Sequence, residues 1–204
     1  MKGKTVGIVG NGFVGNAIYQ NVRDKVDTKV YDVDPLRSLH TLEEVVDQEF
    51  IFVCLPTPMR KDGSCDLSIL EKFFQDIEDM DLEILKERTF IIKSTVPIGT
   101  TKRLAEKHSL TWIVHNPEFL TARNAVHDFK VAQRTILGGD PLLTSRVSNL
   151  YWGYLYYGDD HNIIQCSSDE SEAIKYFSNT FLAYKVAYFN KVYDMCEKLG
   201  MDYK

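Results

Sequence analysis

The sequence predicts an α/β fold, a doubly wound and mostly parallel sheet followed by a long C-terminal helix. Short β-branched runs alternate with amphipathic helical patterns along most of the chain, which is typical of strand-helix-strand crossovers. The segment from Glu170 to Leu199 then keeps a helical pattern without Gly or Pro. At about 1.5 Å per residue it is too long for another crossover helix, so we treat it as a separate element that follows the sheet domain.

The individual elements follow from the same patterns. Strands are expected at Thr5 to Val9, Lys29 to Tyr31, Phe50 to Cys54, Thr89 to Lys93, Trp112 to Val114, Arg134 to Leu137 and Asn162 to Gln165. Helices are expected where apolar residues recur at three- and four-residue intervals, including Phe13 to Val22, Ser68 to Met80, Thr100 to Lys107 and Pro141 to Tyr154.

The boundaries of the long helix are also visible in the sequence. Ser167 and Glu170 have the spacing of a capping box, and Gly200 is a stop signal. We therefore divide the chain into a sheet domain, residues 1–166, and a long helix, residues 167–204.

Composition restricts the class of protein. The net charge of -5, without a long Lys/Arg block, predicts neither a nucleic-acid nor an anionic-membrane partner. No apolar run approaches the roughly 20 residues that cross a bilayer. The four cysteines form no C-x-x-C pair, and residues 1–4 lead into a strand without a secretory apolar segment. We therefore predict reduced thiols, a cytoplasmic location and no metal site.

A glycine motif, Gly10-x-Gly12-x-x-Gly15, lies between the first predicted strand and helix. In this context it is typical of a Rossmann-type dinucleotide-binding turn, in which the first glycine permits the turn, the second admits the pyrophosphate and the third allows close packing. The phosphates then meet backbone N–H groups at the helix N-terminus. We assign Gly10, Asn11, Gly12, Phe13, Val14 and Gly15 to cofactor binding, the alternative being an ordinary glycine-rich turn.

Asp32 ends the second predicted strand, about twenty residues past the glycines. A carboxylate at this position accepts hydrogen bonds from the adenine ribose hydroxyls and would repel a 2'-phosphate, which favours NAD over NADP. Two alternatives stay open. Arg37 could swing in as a phosphate partner, or Asp32 could be a solvated turn residue before Asp34-Pro35.

Three loops follow the next predicted strands: Leu55-Pro56-Thr57-Pro58, Lys93 to Thr100, and Asn116 to Leu120. Because the carboxyl ends of parallel strands ring the ligand crevice, their polar side chains are expected to converge near the nicotinamide. We assign Leu55, Thr57, Ser94 and Thr95 to the cofactor site and place Glu118 beside them. Taken singly, such residues could instead be strand stops, a helix cap or a solvated Glu.

Together these segments resemble the UDP-glucose/GDP-mannose dehydrogenase family, whose N-terminal domain contains a GxGxxG turn, a V-x-TP turn, a K-S-T-V-P-x-G-T loop and an NPEFL loop. Residues 172–183 resemble the start of the family's long central helix, and residues 62–66 resemble its D-G-x-x-D stretch. The resemblance covers essentially the whole chain, in the right order.

The resemblance implies an activity and roles for four residues. The family oxidises the C6 alcohol of a UDP-sugar to a carboxylate with two NAD+, through an aldehyde and a thioester on a cysteine. By this resemblance Thr95 would hold a water, Glu118 would act as acid/base, and Lys175 and Asn179 would stabilise the developing oxyanion. Lys175 and Asn179 are four residues apart and share one helix face. The resemblance also implies a homodimer formed through the long helix.

The chain departs from the family in three places. The nucleophilic cysteine and the sugar-nucleotide domain, which follow the central helix in the family, have no counterpart before Lys204, and none of the four cysteines has a matching context. Ala122 replaces a Glu, and the connection from Asp32 to Phe50 is short. We therefore keep two interpretations, the NAD-binding portion of a UDP-sugar dehydrogenase and a non-catalytic NAD-binding and dimerisation module.

Overall fold

The computed structural model of the chain describes residues 4–80, 87–155 and 161–203. Residues 1–3 of the first predicted unit and Lys204 of the second lie outside this part. The described chain contains a seven-stranded sheet with the order β2-β1-β3-β4-β5-β6-β7. Its strands are β1 (Thr5–Val9), β2 (Asp27–Tyr31), β3 (Phe50–Val53), β4 (Thr89–Ile92), β5 (Ile113–His115), β6 (Arg134–Gly138) and β7 (Asn162–Cys166).

Seven α-helices lie in the described ranges. They are α1 (Phe13–Val22), α2 (Leu42–Val46), α3 (Ser68–Glu78), α4 (Thr100–Lys107), α5 (Ala125–Lys130), α6 (Pro141–Leu150) and α7 (Ser168–Leu199). A π-helical turn, Tyr151–Leu155, continues α6. The predicted α/β fold with a long C-terminal helix is confirmed.

Several predicted strand boundaries are wrong by one or two residues, because periodicity does not show where ladder hydrogen bonds stop. β2 begins at Asp27, β3 ends at Val53, and β5 is shifted by one residue. The predicted helix from Pro141 to Tyr154 is α-helical only to Leu150. The short helices α2 and α5 were not predicted, since five or six residues carry too little periodicity.

Strand pairing places the ligand crevice. All neighbouring strands are parallel except β5 and β6, which pair antiparallel at His115 and Gly138. The start of β6 therefore lies at the edge where β1 to β5 end. β1 pairs with both β2 and β3, so the strand order reverses there, and ligands of open α/β sheets bind at this switch point.

Two apolar layers cover the sheet. On one face α1, α5 and α6 pack on side chains such as Ile8, Phe52 and Val114. On the other face α2, α3 and α4 pack on Ile51, Phe90 and neighbouring residues. Both faces of the central strands are buried, as expected of a parallel sheet.

Helix α7 begins and ends as predicted. The Ser167 hydroxyl accepts from the Glu170 N–H at 3.3 Å, the Glu170 carboxylate accepts from the Ser167 N–H at 2.8 Å, and Gly200 adopts a left-handed conformation at φ 64°. The first turns of α7 are buried against the sheet, whereas large apolar side chains further along are exposed: Phe177, Phe181, Leu182, Tyr184, Val186 and Tyr188. Among the described residues, no helix is long and apolar enough to span a bilayer.

Candidate cofactor and catalytic site

A cleft of about 470 Å³ lies at the carboxyl ends of β1 to β4. The structure brings ten of the sequence-predicted site residues to its walls: Gly10, Gly12, Phe13, Val14, Asp32, Leu55, Thr57, Ser94, Thr95 and Glu118. Asn11 lines a neighbouring surface hollow instead, and Gly15 is buried beneath the turn.

The three glycines occupy different environments. A Cβ on Gly15 would lie 1.9 Å from the Gly10 carbonyl oxygen, and one on Gly10, at φ 90°, would lie 2.5 Å from the Cys54 carbonyl oxygen. Both positions therefore need glycine for the backbone itself. A Cβ on Gly12 would meet nothing within 4 Å, so Gly12 leaves space on the cleft side that a pyrophosphate can enter.

The N-terminus of α1 opens into this space. Within the described residues no side chain caps its first turn, and that turn contains no acidic residue. Unpaired N–H groups and the positive end of the helix dipole favour a bound anion. The residues of the glycine turn thus fit a dinucleotide pyrophosphate.

Asp32 supports the turn at the other side of the cleft. Its Oδ2 accepts from the Asn11 N–H at 2.6 Å and its Oδ1 from the Asp34 N–H at 2.9 Å. A carboxylate offers about four lone-pair sites, so acceptor capacity remains for ribose hydroxyls. The Arg37 Nε lies 3.3 Å from the Asp34 carboxylate, so this guanidinium already has an anionic partner.

The loops after β3 and β4 are tied together by their own hydroxyl groups. The Thr57 Oγ1 donates to the Thr95 carbonyl oxygen at 2.7 Å, and the Ser94 Oγ donates to the Leu55 carbonyl oxygen at 2.6 Å. These two crossed hydrogen bonds hold the loops after β3 and β4 against each other at the wall of the cleft. The hydroxyls of Thr57 and Ser94 therefore shape the site by holding its backbone.

Glu118, which lines the cleft, is paired with Lys175 of α7. The Lys175 Nζ lies 3.0 Å from the Glu118 Oε1 and also donates to the Glu118 carbonyl oxygen. The Glu118 Oε2 accepts from the Leu120 N–H at 2.6 Å. The Lys175 side chain is 4% exposed and the Glu118 side chain 13%, so a carboxylate and a cation share a largely dry position.

Asn179 lies one turn beyond Lys175 on α7 and is exposed. It shares the helix face of Lys175, as the spacing predicts. The described structure, however, does not bring Asn179 to the wall of the cleft.

Sequence reasoning missed Lys93, which follows β4 and is buried. Its Nζ donates to the Asn116 Oδ1 at 3.0 Å, and the Tyr151 hydroxyl donates to the same oxygen. Burial lowers the pKa of Lys93 to about 8 and raises the pKa of the neighbouring Cys54 thiol to about 12. Cys54 is therefore a thiol at neutral pH, which agrees with its exclusion as a nucleophile. Lys93 is the first residue of the K-S-T-V-P-x-G-T loop, but nothing in the sequence shows that its side chain is buried.

Sequence reasoning also missed His115 and Glu172, which join α7 to the loops of the cleft. The His115 Nδ1 lies 2.8 Å from the Ser171 Oγ, and its Nε2 lies 3.4 Å from the Ser94 carbonyl oxygen. Burial lowers the pKa of His115 to about 3, so the ring is neutral at pH 7. The Glu172 carboxylate accepts from the Thr101 N–H at 2.7 Å, and burial raises its pKa.

The fold and the cleft define a Rossmann-type dinucleotide-binding domain. Residues 18–152 match the NAD binding domain of the UDP-glucose/GDP-mannose dehydrogenase family, and residues 169–204 match the family's central domain. The chain belongs to this family, and its cofactor is NAD.

Individual relatives and a solved structure support the family assignment. The chain is 32% identical to the UDP-glucose 6-dehydrogenase of Rickettsia bellii, over 92% of this chain and 43% of that protein. It is 32% identical to the enzyme of the same name from Campylobacter jejuni, over 89% and 46%. The solved UDP-glucose dehydrogenase of Pyrobaculum islandicum superposes with a TM-score of 0.83 at 25% identity, over 98% of this chain and 54% of that one. The chain thus spans less than half the length of these two curated relatives.

Proposed function

We propose that the chain is the NAD-binding portion of an oxidoreductase that oxidises the C6 alcohol of a UDP-sugar to a carboxylate, as in UDP-glucose to UDP-glucuronate. The observation that carries this proposal is the ion pair between Lys175 and Glu118, a residue that lines the cleft, with an Nζ to Oε1 distance of 3.0 Å. A domain that only binds NAD has little physical need for a buried cation and carboxylate at that position.

The proposed domain organisation follows the same division as the sequence. Residues 1–166 form the NAD-binding domain and residues 167–204 the long central helix. Most contacts to the sugar nucleotide would come from a domain outside this chain. The cysteine nucleophile would also lie outside it.

Cofactor binding is proposed to use the glycine turn and Asp32. The free N–H groups at the start of α1 hold the pyrophosphate, and the Asp32 carboxylate accepts hydrogen bonds from the adenine ribose. NAD+, when bound, would supply the hydride acceptor for the oxidation. Ser94 and Thr57 keep the loops around it in register through their crossed hydrogen bonds.

Glu118 is proposed to move protons. Oxidation of an alcohol releases a proton from its oxygen, and a carboxylate within hydrogen-bond reach can accept that proton directly or through a water. Thr95, which lines the same cleft as Glu118, would hold this water. In the hydrolytic step the same carboxylate would activate water.

Lys175 and Asn179 are proposed to stabilise negative charge on the reacting oxygen. The Lys175 ammonium is already desolvated and held by Glu118, so it needs little reorganisation. Asn179 adds an amide donor one turn away on the same helix face. Because Asn179 is exposed in this chain, its role requires substrate or a further domain to lie against it.

The experiment is a thermal melt and an absorbance assay on this chain. NAD+ should raise the Tm, and UDP-glucose with NAD+ should give no NADH, because the domain proposed to hold the sugar nucleotide is not in the mixture. The lack of an NAD+-dependent rise in Tm would contradict cofactor binding. Steady NADH formation would contradict the proposal that the sugar nucleotide is held largely by residues outside this chain.

A second candidate is a non-catalytic NAD-binding and dimerisation module. The observation that favours it is Ala122, which replaces a carboxylate expected from the family resemblance. The reading frame after Lys204 distinguishes the two. A downstream glycine-rich loop with a cysteine supports the dehydrogenase, and an immediate stop codon supports the module.

A homodimer through α7 is part of both candidates. Its exposed apolar side chains, among them Phe181, Tyr184 and Tyr188, would be covered in such a dimer. Sedimentation at several concentrations tests this, and a monomer throughout would contradict it. The cytoplasmic location stays a prediction.

A further inference from the structure

We propose that Ser171 and Glu172 are positioning residues, which hold the first turns of α7 so that the Lys175 ammonium reaches Glu118. The importance of the Lys175–Glu118 pair for catalysis rests on the proposed function. The contacts that hold the helix do not.

Glu172 fixes α7 to the start of α4. Its side chain is fully buried, its Oε2 accepts from the Gly99 N–H at 2.6 Å, and its Oε1 accepts from the Thr101 N–H at 2.7 Å and the Thr101 hydroxyl at 2.6 Å. The carboxylate thus caps the first turn of α4 from another helix. Because Gly99 closes the loop that begins with Ser94 and Thr95, this contact joins α7 to the cleft.

Ser171 fixes α7 to the sheet. Its Oγ lies 2.8 Å from the His115 Nδ1, and the other ring nitrogen lies 3.4 Å from the Ser94 carbonyl oxygen. The helix also approaches β6 closely. A Cβ on Gly138 would lie 2.3 Å from the Ser171 Cβ and 2.9 Å from the Ser167 carbonyl oxygen.

These contacts surround the turn that precedes Lys175. Lys175 lies three residues after Glu172 and four after Ser171, so the three side chains share one helix face. A lysine is long and has many rotamers, so a defined position for its ammonium requires a fixed Cα and a dry surround. Ser171 and Glu172 fix the position of the helix backbone at Lys175. The Lys175 side chain is 4% exposed, so its surroundings are dry.

The test measures how fast Lys175 is acetylated by an amine-specific reagent at fixed pH, with peptide mass spectrometry as the readout. Exposed Lys185 on the same helix is the internal reference. The test variants are Ser171→Ala, Glu172→Gln and Gly138→Ala. The matched controls are Glu170→Gln, which weakens the capping box of the same helix, and Gly153→Ala, whose Cβ would meet nothing within 4 Å.

In the wild type, Lys175 should react more slowly than Lys185. Loss of one buried contact should speed Lys175 relative to Lys185 by about tenfold, since protection follows the free energy of local opening. The controls should leave this ratio unchanged even if their Tm falls. If Gly138→Ala does not fold, the two side-chain variants decide.

A lower Tm in Ser171→Ala and Glu172→Gln with an unchanged ratio would show only structural roles and overturn the proposal. An equal increase in the controls would also overturn it. NAD+ affinity is measured separately on the wild type, so failure of the proposed function is distinguishable from failure of this inference.

Discussion

The Lys175 Nζ lies 3.0 Å from the Glu118 Oε1, which joins the long C-terminal helix to the loop after β5, where Glu118 lines the cleft. The two residues are 57 positions apart in the chain. Glu118 lines the same cleft as Thr95, so the ion pair contributes to the region where the site loops converge. The chemical proposals depend on this contact.

The first prediction concerns this pair. Lys175→Met should destabilise the fold by about 3–5 kcal/mol, because it leaves a largely buried carboxylate without its cation. Glu118→Gln should destabilise it for the reciprocal reason. The double variant should be markedly more stable than the sum of the single effects implies, as measured by urea unfolding. Additive effects would show that the pair does not interact in solution.

The second prediction concerns Asp32. Asp32→Ala should weaken NAD+ binding by roughly ten- to a hundredfold, since hydrogen bonds to a charged group contribute about 1.5–3 kcal/mol. Asp27→Ala, an exposed position at the start of the same strand, is the control. Calorimetry measures both, and equal affinities for wild type and Asp32→Ala would refute the ribose role.

The third prediction is a pH dependence from His115, whose pKa is lowered by burial from 6.5 to about 3. The unfolded chain binds this proton more tightly, so between pH 6.5 and about 3 stability falls as the pH falls. From pH 6.5 to 5 the loss from this group is about 2 kcal/mol. His115→Asn should lose that much less than the wild type in urea unfolding at pH 7 and pH 5. Parallel losses would contradict the assignment.

The fourth prediction concerns Lys93, whose pKa is lowered by burial to about 8. Since folding weakens its proton binding, the wild type should gain stability as the pH rises from about 8 towards 10.5. Lys93→Met should remove this gain and be more stable at pH 7 by about 1–3 kcal/mol. Asn116 keeps the Tyr151 hydroxyl as a partner in the variant. A destabilised Lys93→Met at pH 7 would show that the ammonium stabilises the fold.

Local patterns predicted much of this fold and cleft. The glycine turn, the Ser167 cap and Gly200 depend on a few neighbouring residues, so their sequence signals are direct. The end of α6 was not predictable, because an apolar repeat does not distinguish an α-helix from the π-helical turn at Tyr151.

Contacts between distant residues account for what the sequence did not show. The residues next to Glu172 in the sequence do not distinguish it from an ordinary helix glutamate. Its carboxylate nevertheless caps α4, whose Thr101 is 71 residues away in the chain. Lys93 became a buried cation only through the packing of Asn116 and Tyr151 around it. Neither contact produces a periodic pattern or a characteristic residue spacing in the sequence.

The most direct test of the central claim compares NAD+ binding to wild type and Gly12→Ala by calorimetry. Gly12 has φ −75° and open space around its Cα, so alanine should leave the Tm unchanged, whereas Gly15→Ala should unfold the turn. If the space at Gly12 holds the pyrophosphate, Gly12→Ala should weaken NAD+ binding by at least about tenfold. A folded Gly12→Ala variant with wild-type affinity would contradict the account.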